Sequence, residues 1–285
     1  MFFGRSPEDL SDTVFAKKYQ VHEEVGRGGM SIVYRATRLD DNQLEVALKI
    51  AAGLALGDKA ALKRLIQEGQ LLTDLSHPHL VKVFEVGKDK GLYYIVMEFL
   101  GGGMLKDFIQ KKGILDEAEA LRMILPVAEG LWYVHKNGII HGDLKPSNIM
   151  LNSEGEVKIM DFGLAELTFE QENKEKRRTG TPTYMSPEQV QGTRLDFRSD
   201  IYSLGVTLYE MLTDRVPFPG NDMKSVLTKQ LMFVPKSPKV YNHDISTELE
   251  TFILSMLDKN PKNRPKDMDV VLETLHRLLD KAAGA

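Results

Sequence analysis

Hydrophobic positions follow two different periods along this chain. Between Tyr19 and Met97 apolar residues come in short, alternating or continuous runs, which read as strands: 19–25, 32–36, 45–50, 81–87 and 92–97. Glycine-rich Gly26-Arg27-Gly28-Gly29-Met30-Ser31 and Lys88-Asp89-Lys90-Gly91 lie between them as turns. One helix interrupts this half, from Asp58 to Leu75, with Leu62, Leu65, Ile66, Gly69 and Leu72 on its apolar side and His77-Pro78 as its stop. Beyond Leu100 the period lengthens. Leu121, Ile124, Ala128, Leu131 and His135 recur at helical spacing towards Gly138, and Pro126 inside that run deletes a backbone donor and predicts a kink. Residues 149–151 and 157–160 form two short apolar strands around the turn Asn152-Ser153-Glu154-Gly155.

From Asp200 to about Thr213-Asp214 the chain is apolar on nearly all sides, which predicts a buried helix, with Pro217-Phe218-Pro219 as its stop. Two more helices are expected. The first opens on a capping box, Thr247 to Glu250, ahead of Phe252, Ile253, Met256 and Leu257; Val271, Leu275, Leu278 and Leu279 line the second. Ser6-Pro7-Glu8-Asp9 has the residues of a short helix start. The fold class is therefore α+β: an extension over 1–18, a strand-rich lobe over 19–100, a helical lobe over 101–279 and a tail over 280–285.

Composition narrows the function classes. With 42% hydrophobic and 27% charged residues, the chain has the make-up of an ordinary globular protein. A net charge of -4 supplies no cationic excess for nucleic-acid binding. Zero cysteines exclude disulfides, thiol catalysis and Cys-ligated zinc, and fit a reducing, cytoplasmic compartment. No apolar run is long enough to span a bilayer, and Met1-Phe2-Phe3-Gly4-Arg5 lacks the basic and apolar regions of a signal peptide.

Chemistry concentrates in His141-Gly142-Asp143-Leu144-Lys145-Pro146-Ser147-Asn148 and, past the short hairpin, in Asp161-Phe162-Gly163. Asp143 can accept a hydroxyl proton, Lys145 can neutralise a moving phosphoryl group, and Asn148 with Asp161 can offer oxygen ligands to Mg2+. Upstream, the glycines of 26–31 let backbone N–H groups approach phosphate oxygens; alone they are equally a plain hairpin turn. A dinucleotide-binding reading fails because a strand, Ile32-Val33-Tyr34, follows the glycines where a helix is needed. Lys49 in its apolar strand and Glu68 on the following helix are each ordinary surface residues by themselves, and together a candidate ion pair.

These motifs, in this order, resemble the eukaryotic-type Ser/Thr protein kinases over roughly Tyr19 to Leu279, particularly bacterial members of that family. The resemblance implies a bilobal kinase fold, ATP and Mg2+ as cofactors, a protein substrate with a Ser or Thr acceptor, and the capacity to autophosphorylate. It implies Asp143, Lys145, Asn148 and Thr181 as catalytic residues and Asn148 and Asp161 as metal ligands. Phosphates would be held by Val25, Gly26, Arg27, Gly28, Gly29, Met30 and Ser31 with Lys49 and Glu68; Val33, Ala47 and Met150 would enclose adenine; Met97, Glu98 and Leu100 would form the hinge. Leu72, Val83, Phe162, His141 and Asp200 would make a stacked column, and Glu188 would pair with Arg264. The segment 161–188 corresponds to the activation segment. Gly180-Thr181 and Ser186-Pro187-Glu188 argue against a small-molecule kinase, and the retained Lys49, Asp143 and Asp161 against a pseudokinase that only binds.

Departures from the family pattern carry their own expectations. Ser31 stands where the third glycine is usual. Gly142 replaces the arginine that clamps a phosphorylated loop in many relatives, and Glu166 with Arg177 or Arg178 would substitute for that contact, so that activity would not need phosphorylation there. Gly103 and Ser147 stand where basophilic relatives carry glutamates, which predicts a weak preference for upstream arginine in the substrate. Thr179, Thr181 and Thr183 are candidate autophosphorylation sites.

Overall fold

The computed structural model describes residues 9–28, 31–40, 43–52, 66, 69–162, 166–167 and 181–284. They fall in two compact units, Met1–Gly101 and Gly102–Ala285.

The first unit is built on a six-stranded antiparallel sheet. Its strands are β1 (Val14–Phe15), β2 (Tyr19–Arg27), β3 (Ser31–Arg38), β4 (Glu45–Ala51), β5 (Val83–Asp89) and β6 (Leu92–Glu98), in the order β1-β2-β3-β4-β6-β5. Alternation decides the two faces. Ile32, Tyr34 and Ala36 of β3 pack with Val46, Leu48 and Ile50 of β4 and with Tyr94 and Val96 of β6 in one buried core. The opposite face carries the intervening positions, and there Val33 pairs with Lys49, Lys49 with Ile95, and Ala47 with Met97. Residues 69–73 are helical and lie close to that face: a Cβ added at Gly69 would meet Val86 Cγ2 at 2.6 Å and Ile95 at 3.0 Å. The β5–β6 hairpin closes on two residues, Lys90 (φ 46°) and Gly91 (φ 88°), whose positive φ angles match the twist of the strands.

The second unit is mostly helical: α1 (Leu105–Lys112), α2 (Glu117–Lys136), α3 (Pro187–Gln191), α4 (Arg198–Thr213), α5 (Met223–Met232), α6 (Thr247–Met256) and α7 (Met268–Ala283). Two small ladders sit among them, β7 (Ile139–Ile140) with β10 (Glu166–Leu167), and β8 (Ile149–Leu151) with β9 (Val157–Ile159). Helix α4 is the axis. Every residue of it except Arg198 and Glu210 is buried, and α2 and α6 pack against it. Gly205 permits the closest approach, since a Cβ there would stand 2.8 Å from the Met256 Cβ.

Several expectations need correction. The helix through Pro126 runs unbroken from Glu117 to Lys136, capped by Asp116, which accepts from the Glu119 N–H. The first residue of α6 is Thr247, but its cap is Ser246, which accepts from the Leu249 N–H; with leucine at the third helical position there is a single cap bond and no capping box. Three helices follow α4, not two: α5 was not anticipated, and neither was α1. Helix α5 leaves Met223 and Met232 exposed and buries only Val226 and Gln230, so it lacks an apolar stripe to read. The suggested helix at Ser6 falls outside the described residues.

Candidate active site

The loop between β7 and β8 is held from beneath by one carboxylate. Asp200, fully buried on α4, accepts from the backbone N–H groups of His141 and Gly142 at 2.9 Å each and lies 2.8 Å from His135 Nε2. Burial alone would raise the Asp200 pKa; the His135 hydrogen bond and charge, with His141 and the Gly142 N–H, outweigh it and hold the carboxyl below its ordinary value. Gly142 has φ 76°, a left-handed conformation that favours glycine, and its carbonyl accepts from Gln189 Nε2 at 2.6 Å.

On this support four predicted residues meet. The Asp143 carboxylate accepts from the Thr181 N–H at 3.0 Å, from Lys145 Nζ at 2.6 Å and from Asn148 Nδ2 at 3.2 Å. Lys145 Nζ also donates to Thr181 Oγ1 at 2.6 Å. Asn148 Nδ2 reaches the Asp143 carbonyl at 2.9 Å as well, so its amide nitrogen is engaged twice and its oxygen is the atom left for a cation. The 3-10 turn Pro146–Asn148 positions that side chain, and the Met160 N–H donating to the Asn148 carbonyl at 2.9 Å ties the loop to the segment entering Asp161. Asp161 itself has φ 67°, unusual for a residue other than glycine. Beside it, the Phe162 ring packs on His141 with centroids 4.6 Å apart. His141 is fully buried, consistent with a packing role.

Within the first unit the register puts Val33, Ala47, Lys49 and Met97 on one face of the sheet. Gly26 and Arg27 end β2, and the Gly28 N–H donates to the Ser31 carbonyl at 2.9 Å. Val25 is 46% exposed, a large apolar side chain without cover at the start of this turn. The Glu98 N–H goes to the Lys82 carbonyl at 2.9 Å, and Leu100 is buried. Gly29, Met30 and Glu68 lie outside the described residues, as do Gly163 and the Arg177 and Glu166 side chains of the supposed charge substitution. Met150 of β8 bridges to Met104 in the second unit.

Behind the loop, Arg264 donates to Glu188 through two nitrogens, at 2.7 and 2.9 Å, and Ser199 Oγ donates to the same carboxylate at 2.7 Å. Burial would raise the Glu188 pKa, yet the Arg264 contacts keep it below the ordinary range. This is the pair expected from Ser186-Pro187-Glu188 and Asn263-Arg264-Pro265.

A protein kinase domain model matches residues 19–275. The chain belongs to the protein kinase family. It is similar to a probable serine/threonine-protein kinase of Clostridium perfringens, 37% identical over 269 residues covering 93% of this chain and 39% of that protein. It is similar also to the serine/threonine-protein kinase PknB of Mycobacterium tuberculosis, 36% identical over 91% of this chain and 42% of the relative, and to PrkC of Bacillus subtilis, 34% identical over 90% and 40%. The chain thus spans about two fifths of the length of these curated relatives.

Sequence reasoning about this kinase domain missed the polar side chains that hold its loops from outside: Gln189 on Gly142, Ser203 on the Tyr184 carbonyl at 2.9 Å, Glu210 on the Tyr184 hydroxyl at 2.6 Å, and Gln230 on Pro182 and Thr183. Of these, Gln189 had a local signal. It stands three residues after Ser186 and completes a capping box at the start of α3.

Proposed function

We propose that this chain transfers the γ-phosphoryl group of ATP to a serine or threonine hydroxyl of a protein substrate. One observation carries the reading. Asp143, Lys145 and the Thr181 hydroxyl and N–H form a closed set of charge-assisted hydrogen bonds, 2.6 to 3.0 Å long, with both charged side chains still partly open to solvent. In that set Asp143 orients the acceptor hydroxyl and takes its proton, Lys145 offsets the charge of the phosphoryl oxygens, and Thr181 fixes both. Positioning and electrostatics supply the catalysis, as phosphoryl transfer requires.

Asn148 and Asp161 suit Mg2+. Both present hard oxygen donors, and magnesium in such sites takes one or two protein ligands and fills its octahedron with phosphates and water. The ion would neutralise phosphate charge, and no further protein ligand is required. Gly26 and Gly28 support a phosphate-covering role: an added Cβ would meet nothing closer than 3.8 Å, so the fold itself does not demand glycine at either position. Room for a close ligand does. Arg27, Gly29, Met30, Ser31 and Val25 complete that cover, Lys49 with Glu68 holds the α and β phosphates, and Val33, Ala47 and Met150 enclose adenine beside the hinge of Met97, Glu98 and Leu100. Transfer of labelled phosphate from ATP to a protein acceptor, abolished in Asp143→Ala and Lys49→Met, tests the reading. A wild-type chain that binds ATP and Mg2+ without transferring phosphate supports a binding module instead.

Activity without phosphorylation of the activation segment follows from Gly142, which has no side chain to read a phosphate. Enzyme treated with phosphatase retains its activity on this view. A phosphatase-treated sample that is inert until rephosphorylated refutes it.

A further inference from the structure

Three consecutive carbonyls follow Thr181, and side chains from two helices hold all of them. Ser203 Oγ of α4 donates to the Tyr184 carbonyl at 2.9 Å; Gln230 Nε2 of α5 donates to the Thr183 carbonyl at 2.6 Å and the Pro182 carbonyl at 3.3 Å. Gln230 is fully buried, an uncommon place for an amide on an otherwise half-exposed helix. Its orientation is dictated by what it touches. Carbonyl oxygens only accept, so the nitrogen must face Pro182 and Thr183 and the Gln230 Oε1 must face Tyr202. The Tyr202 hydroxyl therefore donates to Gln230, and its oxygen is the acceptor for Lys259 Nζ at 3.0 Å. Tyr202 is itself immobilised, fully buried on α4 beneath the Arg264 guanidinium, 4.8 Å from the ring centroid.

Resting on the kinase reading above, we propose that Gln230 is a positioning residue for the phosphoacceptor, acting through the turn 181–184, with Tyr202 setting the direction of its amide. The turn begins at Thr181, whose N–H and hydroxyl bind Asp143 and Lys145, and it closes with the Tyr184 N–H on the Thr181 carbonyl at 3.0 Å. Holding its carbonyls from behind keeps the strip of backbone beside the acceptor in one conformation. A carboxylate in place of the amide would turn an acceptor towards two carbonyls. An apolar isostere would leave both without a donor.

The test compares wild type, Gln230→Glu, Gln230→Met and Tyr202→Phe in steady-state kinetics with varied protein acceptor and varied ATP, alongside hydrogen exchange across the chain. Expected are an acceptor KM raised about tenfold in both Gln230 variants and by a smaller factor in Tyr202→Phe, an unchanged ATP KM, and faster exchange confined to 181–184. A purely structural role would lower kcat through the lost folded fraction, leave both KM values alone and speed exchange throughout α4 and α5; that result overturns the proposal. If the Gln230 variants do not fold, Tyr202→Phe decides it by the same two readouts, and an acceptor KM and 181–184 exchange equal to wild type overturn it. A wild-type chain that transfers no phosphate removes the kinase reading, and this inference with it.

Discussion

In the proposed transfer Asp143 has two tasks for one carboxylate. It accepts the acceptor's proton, and it is held in place while doing so. Three donors converge on it, from Thr181, Lys145 and Asn148. An Asp143→Asn substitution keeps the shape but turns an N–H2 against Lys145 or against the Thr181 N–H, and lowers phosphoryl transfer by about a hundredfold or more with ATP binding retained; rapid-quench transfer and nucleotide titration separate the two. Gly142 shows the opposite economy, a residue used for its lack of a side chain. At φ 76° a Cβ is strained, so Gly142→Ala costs about 1 kcal/mol, measured by denaturant titration. Both residues were legible in the sequence as members of one motif. The positive φ angles at Gly142 and Asp161 were not, because φ is decided by the hydrogen bonds Asp200 and Asn148 impose on the loop.

Elements here are pinned by buried ions more than by local propensity. The Glu188–Arg264 pair ties the start of α3 to the turn before α7, with both side chains almost wholly out of solvent. Arg264→Met leaves the carboxylate without its cation and destabilises the chain by about 3–5 kcal/mol. The pH dependence follows from the sign of the shift. The folded Glu188 pKa is depressed, so its stabilisation is complete above the ordinary carboxylate value and is lost as pH falls towards and through the folded value. In Arg264→Met burial is opposed only by the Ser199 hydroxyl and a backbone N–H, so the folded pKa rises and this local dependence weakens; thermal melts from pH 7 to pH 4 read the difference. Lys259 behaves differently. Burial and Arg264 push its pKa down to about 7, against the pull of the Asp258 carboxylate. The unfolded chain binds the extra proton between that value and the ordinary lysine value, so stability rises with pH across this window, and Lys259→Met flattens the rise. Long periodic elements such as α2 and α4 were readable from spacing. Helix α5 was not, since its buried face is a valine and a glutamine.

At the level of the whole molecule, a ligand that binds only the folded chain stabilises it by mass action. Nucleotide with Mg2+ should stabilise wild type by about 2.7 kcal/mol at one hundred times its dissociation constant, and Lys49→Met should lose most of that gain at the same concentration. Thermal shift with and without Mg2+ measures it. In the sequence, a change of hydrophobic period from two to about 3.6 marks where strands give way to helices.

That Asp143, Lys145 and Asn148 meet in one loop was written in the order of the motif, since acid, cation and amide lie within six residues of chain. The sheet's faces followed from alternation for the same local reason. Tertiary structure alone decided which polar side chains support that loop and the turn after Thr181. Gln230, Ser203 and Asp200 reach their carbonyl and amide partners across 19 to 59 residues of sequence, and no local spacing encodes a hydrogen bond closed by the packing of separate helices.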